Sequence, residues 1–358
     1  MHLKTLKLNN FRCFSDVKVS FEQGVNVIYG LNAVGKTSLL EAVNYLVLTK
    51  SFKEYDDSVL FKEGTKSFSV NGSVFAFDDE FKLKILRNQS GKVVFKNDCR
   101  FSKISDYVGE ALVVSFSNDD LFNLNKGARE RRKIFEPIFC QISKDYVIEC
   151  NCYKKILNER NALLKRLTIE NSESLKTLLE TLDFQLVEKG KKIVEYRKTF
   201  IEKIRPLFVK KYSRIVKELE GVDIVYKPSC SVEELENKIK ESKNIDIIKG
   251  TTNYGPHKDD YVFIINNKNI IDYGSQGQQR SVLICLKMAF VDYLFECKKD
   301  YPILLLDDVL SELDVERQNN LLKEIDKNVQ AIISTATLSE INKEVLDKAN
   351  IITLEKEM

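Results

Sequence analysis

Between residues 25 and 46 a short apolar run, a glycine-bounded loop and an apolar helix follow one another without a gap. Val25-Asn26-Val27-Ile28-Tyr29 reads as a buried strand, and Ser38 to Leu46 reads as the helix that leaves the loop. The loop itself, Gly30-Leu31-Asn32-Ala33-Val34-Gly35-Lys36-Thr37, fits G-x-x-x-x-G-K-[ST] without a mismatch. The glycines permit a tight, open backbone whose successive N–H groups converge on one point, and the helix N-terminus adds its positive dipole end there. Lys36 supplies a point charge for β- and γ-phosphates, and the Thr37 hydroxyl is a ligand for Mg²⁺. A surface turn that carried a lysine by chance would lack the strand before it and the helix behind it. Residues 30–38, Ser38 included, therefore read as the cradle of ATP, and the chain as an α/β fold around a parallel sheet.

A second segment supplies the acids such a site needs. Ile303-Leu304-Leu305-Leu306-Asp307-Asp308 is an apolar strand ending in two carboxylates. Asp307 is expected to hold Mg²⁺ together with Thr37, and Asp308 to polarise the attacking water, which makes Asp308 and Lys36 the candidate catalytic pair. Asp also ends strands as an ordinary turn residue; the phosphate loop in the same chain favours the metal role. Upstream, Ser275-Gln276-Gly277-Gln278-Gln279-Arg280 precedes the apolar helix Val282–Phe290. Small residues at a helix start form an anion-binding nest, although alone such a turn is usually a helix cap.

The pattern along the chain divides it into three parts. Residues 1–118 are rich in strand signals: alternation over 3–8, a β-meander over 66–96 with a turn at Asp78-Asp79, and an apolar strand Ala111–Ser115. Residues 119–249 change to helical spacing, with Pro137 and Pro206 as expected breaks and Ser231-Val232-Glu233-Glu234 as a capping box. The second helical stretch runs over 173–219. No heptad is sustained there, so a compact helical lobe is expected rather than a long coiled-coil arm. Residues 250–358 return to strand–helix alternation: strand Tyr301–Leu306, helix Val315–Ile325, strand Ala331–Ser334, helix Ser339–Lys348 and strand Ile351–Leu354. The two halves of the nucleotide site lie at opposite ends of the chain, with the helical lobe inserted between them.

Charge says little about partners, because 56 Lys and Arg face 53 Asp and Glu for a net charge of +3. No run approaches the roughly 18 apolar residues of a membrane span, and no signal peptide is visible. The 8 cysteines are scattered without metal-ligand spacing and only 2 histidines accompany them, so they read as reduced thiols of a cytoplasmic protein. Arg129, Arg131, Arg132 and Lys133 form the densest basic cluster. It suits DNA phosphates, and equally a solvated helix face paired with Glu130 and Glu136. His2 reads as a surface strand residue, and the 21 Phe and 14 Tyr as core.

Other stretches extend the pattern over nearly the whole chain: Leu6-Lys7-Leu8-Asn9-Asn10-Phe11-Arg12, Leu39-Leu40-Glu41-Ala42, Lys50-Ser51-Phe52-Lys53, Phe116 to Leu121, and Lys126-Gly127 with Glu130-Arg131-Arg132. Gly255-Pro256-His257-Lys258-Asp259-Asp260 and Leu306 to Asp314 complete it. With the phosphate loop and the Ser275–Arg280 segment, these resemble the ABC ATPase superfamily, and within it the RecF family of SMC-like bacterial ATPases. The resemblance implies an ABC-type head with a mixed sheet, a β-meander and an inserted, mostly helical second lobe. It implies that Ser275, Gly277 and Gln278 cover ATP held by a second copy, with Ser311-Glu312-Leu313-Asp314 lining the seam. It implies a weak ATPase that binds single- and double-stranded DNA at gaps or junctions. ATP would drive head-to-tail homodimerisation and hydrolysis would release the DNA. The partners implied are recombination mediators such as RecR, with RecO and the recombinase acting indirectly, in DNA replication, repair and the SOS response to damage, and no membrane.

Several positions depart from the family pattern. Gly274 stands where leucine, alanine or serine is frequent, and Asn118 replaces a frequent proline. Lys50 and Lys53 replace arginines. Ser334-Thr335-Ala336-Thr337 lacks the switch histidine of transporter subunits, and by the resemblance Thr335 or Thr337 reaches the γ-phosphate. Three other readings compete: a transporter nucleotide-binding subunit, a small-molecule P-loop kinase, and another SMC-like chromosome ATPase. The missing histidine opposes the first, and the Ser275 and Ser311 segments would have no task in the second.

Overall fold

A helix that is apolar on every side has to be covered on every side, and the helix Lys36–Leu48 organises the fold for that reason. Leu39, Leu40, Ala42, Val43, Tyr45 and Leu46 are all fully buried. The computed structural model describes residues 1–53, 56–170, 172–217, 220–325 and 327–355. On one side the helix packs on strands Val113–Phe116, Ile303–Asp307 and Ala331–Thr335. On the other it packs on His2–Phe11, Ser67–Ala76 and Asp79–Asn88. Gly72 lies so close beneath it that a Cβ there would overlap Leu46 Cδ2.

The first group belongs to a five-stranded parallel sheet in the order Asn350–Thr353, Val25–Tyr29, Ala331–Thr335, Ile303–Asp307, Val113–Phe116. Its register pairs Asp307 with Ser334 and Thr335 with Tyr29, so the phosphate loop and both acids leave at the carboxyl ends of the two strands that flank Ala331–Thr335. The second group is a six-stranded antiparallel sheet running from Phe14–Ser20 through His2–Phe11, Ser67–Ala76, Asp79–Asn88 and Gly91–Lys96 to Cys99–Arg100. The first hairpin of the meander turns at Phe77-Asp78, one residue before the expected Asp78-Asp79. Both turn residues take positive φ (+53° and +61°), which suits the twist of a two-residue hairpin loop. The buried amide of Gln330 joins the sheets. Its Oε1 accepts from the Leu3 amide at 2.7 Å, and its Nε2 donates to the carbonyls of Leu3 and Glu22 at 2.9 Å.

The chain packs as two units: Met1–Phe122, Leu207–Leu219 and Ser275–Met358 form one, and Asn123–Pro206 with Glu220–Gly274 the other. These limits differ from the changes of period at 119 and 250, because strands 222–227 and 260–265 pair with each other inside the second unit. That unit also holds helices Ala128–Ile142 and Lys144–Leu167 and the first part of helix Glu173–Ile215. Neither proline breaks its helix. Pro137 lies inside Ala128–Ile142, and the restart comes at Ser143, whose side chain accepts from the Tyr146 amide. Pro206 lies inside a 43-residue helix about 65 Å long, at a cost of about 3 kcal/mol. Ile204 and Phe208 on either side of it are fully buried, and burial of this order, about 1.5–3 kcal/mol each, offsets the lost hydrogen bond. The expected end at 219 lies outside the described residues. The capping box forms as read, with Ser231 and Glu234 each accepting the other's amide at 3.2 Å. The helix expected over 339–348 is instead a 3₁₀ turn Leu338–Glu340 and a short helix Lys343–Leu346, which Asn342 caps.

The second unit is held by buried polar groups as much as by its aromatic core of Phe135, Phe139, Phe200, Tyr261 and Phe263. Fully buried Arg160 reaches Asp183 at 2.6 Å, Asp246 at 2.7 Å and Thr252 Oγ1 at 2.8 Å. Arg197 reaches Asp259 at 3.0 Å, and Tyr226 donates to the same carboxylate. His257 Nδ1 accepts from the Tyr153 hydroxyl at 2.7 Å while Nε2–H donates to the Thr252 carbonyl at 3.1 Å. Burial pushes the His257 pKa down to about 4, the bond to Thr252 opposing it. The unfolded chain, with an ordinary value near 6.5, takes up a proton that the folded chain refuses between those two values. Stability that is full above pH 6.5 is therefore lost as pH falls toward 4, by at most about 3 kcal/mol. Urea midpoints measured from pH 7 to pH 4 are expected to show it. The gap between the wild-type chain and His257→Gln should narrow across that window, and a constant gap would contradict the assignment.

Candidate functional site

The phosphate loop takes its shape from two left-handed residues, Ala33 at φ +67° and Gly35 at φ +104°. At Gly35 the loop also runs against Cys13 and Phe14, and a Cβ there would lie 2.7 Å from Cys13 Sγ and 2.8 Å from Phe14 Cζ. Leu31, Asn32 and Ala33 are exposed, Gly30, Val34 and Lys36 are buried, and Thr37 and Ser38 are half-buried at the helix start. Lys36 Nζ turns back into the loop and donates to the Gly30 carbonyl at 2.6 Å and the Leu31 carbonyl at 2.9 Å. The loop is thus wound around its own cation, with the amides of the helix start facing the same space.

Thr37 Oγ1 lies 2.9 Å from Asp307 Oδ1, although 270 residues separate them in the chain. Ser334 Oγ donates to the same Oδ1 at 2.8 Å, and Lys53 Nζ stands 4.0 Å from Oδ2. Burial raises the Asp307 pKa, with the two hydroxyl bonds and Lys53 opposing it and Asp308 adding to it. A hydroxyl and one carboxylate beside a phosphate cradle form a donor set that suits Mg²⁺, which completes its shell with water and phosphate oxygens. Among the described residues no group of three or more His, Cys, Asp or Glu could hold a metal without such outside ligands. Asp308 follows at φ +55°, its amide donating to Ser334 Oγ at 2.9 Å. Ser311 Oγ donates to the Asp308 carbonyl at 2.9 Å and lies 3.2 Å from its Oδ1.

Sequence reasoning missed a partly buried ion pair behind the loop. Arg12 donates to both oxygens of Glu41 at 2.8 and 2.9 Å, and Ser51 also donates to Glu41. Glu41 is on the phosphate-loop helix and is buried, so Arg12 locks that helix to the antiparallel sheet. The bidentate geometry is one that lysine could not reproduce. Arg12 and Glu41 stand 29 residues apart, which leaves no local signal of pairing.

Ser275 caps the helix Gln276–Lys298. Its Oγ accepts from the Gln278 amide at 3.2 Å, and Gln278 Oε1 accepts from the Ser275 amide at 2.9 Å. The cap leaves Ser275 and Gly277 exposed at the helix start. Gly274 accepts no larger residue without movement, since a Cβ would lie 2.6 Å from the Ile270 carbonyl oxygen. The basic cluster is largely tied up inside the second unit. Arg131 binds Asp260 at 2.7 and 2.6 Å, Arg132 donates to the Asp259 carbonyl, and Lys133 pairs with Glu130. Asp259 and Asp260 are the hydrogen-bond partners that folding brings to it, and Glu136 also favours the charge of Arg132. All eight cysteines are free thiols.

The AAA ATPase domain family matches residues 1–357. The DNA replication and repair protein RecF of Bacillus cytotoxicus is 38% identical over 363 residues, which cover 98% of this chain and 96% of that protein. The RecF of Bacillus mycoides is similar to the same extent, 38% over 98% and 96%. The solved structure of the recombination mediator protein RecF-ATP in the RecFOR pathway has a TM-score of 0.88 at 34% identity, covering 95% of this chain and 93% of its own. The Smc head domain of Pyrococcus furiosus has a TM-score of 0.55 at 17% identity over 99% of this chain and 94% of its own, which is a likeness of fold.

The crowding at Gly35 makes a direct test of the loop geometry. Gly35→Ala places a Cβ at a strained φ and against Cys13 and Phe14, at about 1–3 kcal/mol of strain. Titration with a fluorescent ATP analogue should show affinity lowered about 5- to 150-fold with thermal unfolding close to normal. Unchanged affinity would show that the loop does not hold nucleotide in this conformation.

Proposed function

The chain belongs to the RecF family of ATPases, and from that premise we propose that ATP with Mg²⁺, bound at residues 30–38, draws two copies together head to tail on DNA until slow hydrolysis releases them. Lys36 and the loop amides from Gly30 to Ser38 hold the phosphates, with Leu31, Asn32, Ala33, Val34 and Gly35 contributing backbone. Thr37 and Asp307 hold the metal, which when bound neutralises charge on the phosphoryl oxygens. Asp308 orients the attacking water. Ser275, Gly277 and Gln278 act on the nucleotide of the other copy.

The observation that carries this reading is the 2.9 Å contact of Thr37 with Asp307 beside the buried Lys36. It brings the two halves of a phosphoryl-transfer site together from opposite ends of the chain. Two features favour a second copy as the cover of the site. Ser275 and Gly277 lie exposed at a capped helix start, and Leu31 and Val315 leave apolar side chains 78% and 71% exposed in the phosphate loop and just after Asp314.

DNA with single- and double-stranded character, at gaps or junctions, is the proposed platform. RecR is the proposed direct partner, with RecO and the recombinase beyond it. Relatives named for DNA replication and repair and for the RecFOR pathway support these assignments. A cytoplasmic location accords with them, and among the described residues no helix is long and apolar enough to cross a membrane.

Light scattering on a sizing column tests the switch. Asp308→Asn should bind ATP, fail to hydrolyse it and run as a dimer only with ATP and Mg²⁺. Lys36→Ala should lose nucleotide binding, and Ser275→Arg should keep it yet remain monomeric. A Ser275→Arg chain that dimerises as before would sink the composite site.

A further inference from the structure

Asp307 and Asp308 are adjacent in the chain yet leave the strand in different conformations. Asp307 is the last residue of an extended strand, and Asp308 takes φ +55°, a left-handed value uncommon for non-glycine residues and most often met by Asn and Asp. The hydroxyl of Ser334 meets both of them. Its single hydrogen goes to Asp307 Oδ1 at 2.8 Å, and its oxygen accepts the Asp308 amide at 2.9 Å. A hydroxyl has one donor and two acceptor sites, so this arrangement fixes the direction of both bonds. Ser334 is fully buried and pairs in register with Asp307 on the neighbouring strand.

Two consequences follow for the acids. With Thr37 and Ser334 both donating to Oδ1, the Asp307 carboxylate cannot rotate without breaking a bond, and Oδ2 is left on the side of Lys53. The amide of Asp308, anchored on Ser334, holds the left-handed turn in which the Asp308 carboxylate lies beside Ser311. Ser311 secures the far side of that turn through the Asp308 carbonyl at 2.9 Å. Removing the Ser334 hydroxyl would leave the Asp308 amide without its partner and let the turn relax to an ordinary φ.

We propose that Ser334 is a positioning residue for ATP hydrolysis, its one hydroxyl setting the metal-side carboxylate of Asp307 and the water-side carboxylate of Asp308 in a single fixed relation. This rests on the roles proposed above for those two acids. Ser334 is buried behind them and acts by where it puts them.

The pair Ser334→Thr and Ser334→Val tests it, since these side chains have nearly the same shape and differ by the hydroxyl. Steady-state ATP hydrolysis should be close to wild type in Ser334→Thr, while kcat in Ser334→Val falls on the order of 10- to 100-fold. KM for ATP should stay within about threefold in both, since the phosphate loop is untouched. Equal activity of the two variants, high or low, overturns the proposal, because only packing would then matter at this position. Asp308→Asn alone separates the two ideas. If it hydrolyses ATP at the wild-type rate, the role given to Asp308 fails; if it is inactive while Ser334→Val is unimpaired, only the role given to Ser334 fails.

Discussion

The helix Lys36–Leu48 is covered by a parallel sheet on one side and an antiparallel sheet on the other, and the rest of the first unit follows from that burial. An apolar helix between two sheets cannot slide or rotate without exposing Leu39, Ala42, Val43, Tyr45 or Leu46, each fully buried. Because the helix cannot shift, its first turn cannot shift either, and that turn carries Lys36 and Thr37. The bidentate pair of Arg12 with Glu41 reinforces this from behind, tying the middle of the helix to the end of the first strand.

Chemistry enters where the strands of the parallel sheet end. Register alone brings Asp307 opposite Ser334, and the phosphate-loop strand lies on the other side of that same neighbour. The result is a short chain of hydroxyls and carboxylates: Thr37 to Asp307, Ser334 to Asp307, the Asp308 amide to Ser334, and Ser311 to the Asp308 carbonyl. Each link is directional, so the position of the two acids is set by groups on three different segments. Low local dielectric strengthens such a network when every member is satisfied.

The second unit uses the same device for a different end. Arg160 and Arg197 are buried and their charges are met by Asp183, Asp246 and Asp259, while His257 stays neutral between Tyr153 and Thr252. Buried ion pairs of this kind add little net stability over an apolar core, but losing one partner is costly, which makes them exacting about geometry. The basic cluster at 129–133 belongs to this scheme, because Arg131 and Arg132 hold the Asp259-Asp260 turn in place.

The sequence by itself determined the elements whose signals are local. Glycine and lysine spacing marks the phosphate loop, an apolar run ending in acids marks the strand before Asp307, and period-two alternation marks the meander, since each depends on residues a few positions apart. Only the tertiary structure decided the partners. Nothing local distinguishes Ser334 from any other strand serine, or pairs Arg12 with Glu41 and Arg131 with Asp260, because those contacts span 26, 29 and 129 residues. Pro206 shows the same limit from the other side: its local preference is to end a helix, and burial of its neighbours Ile204 and Phe208 overrides it. Local preferences are worth about 1–3 kcal/mol, and long-range burial of several side chains exceeds that sum.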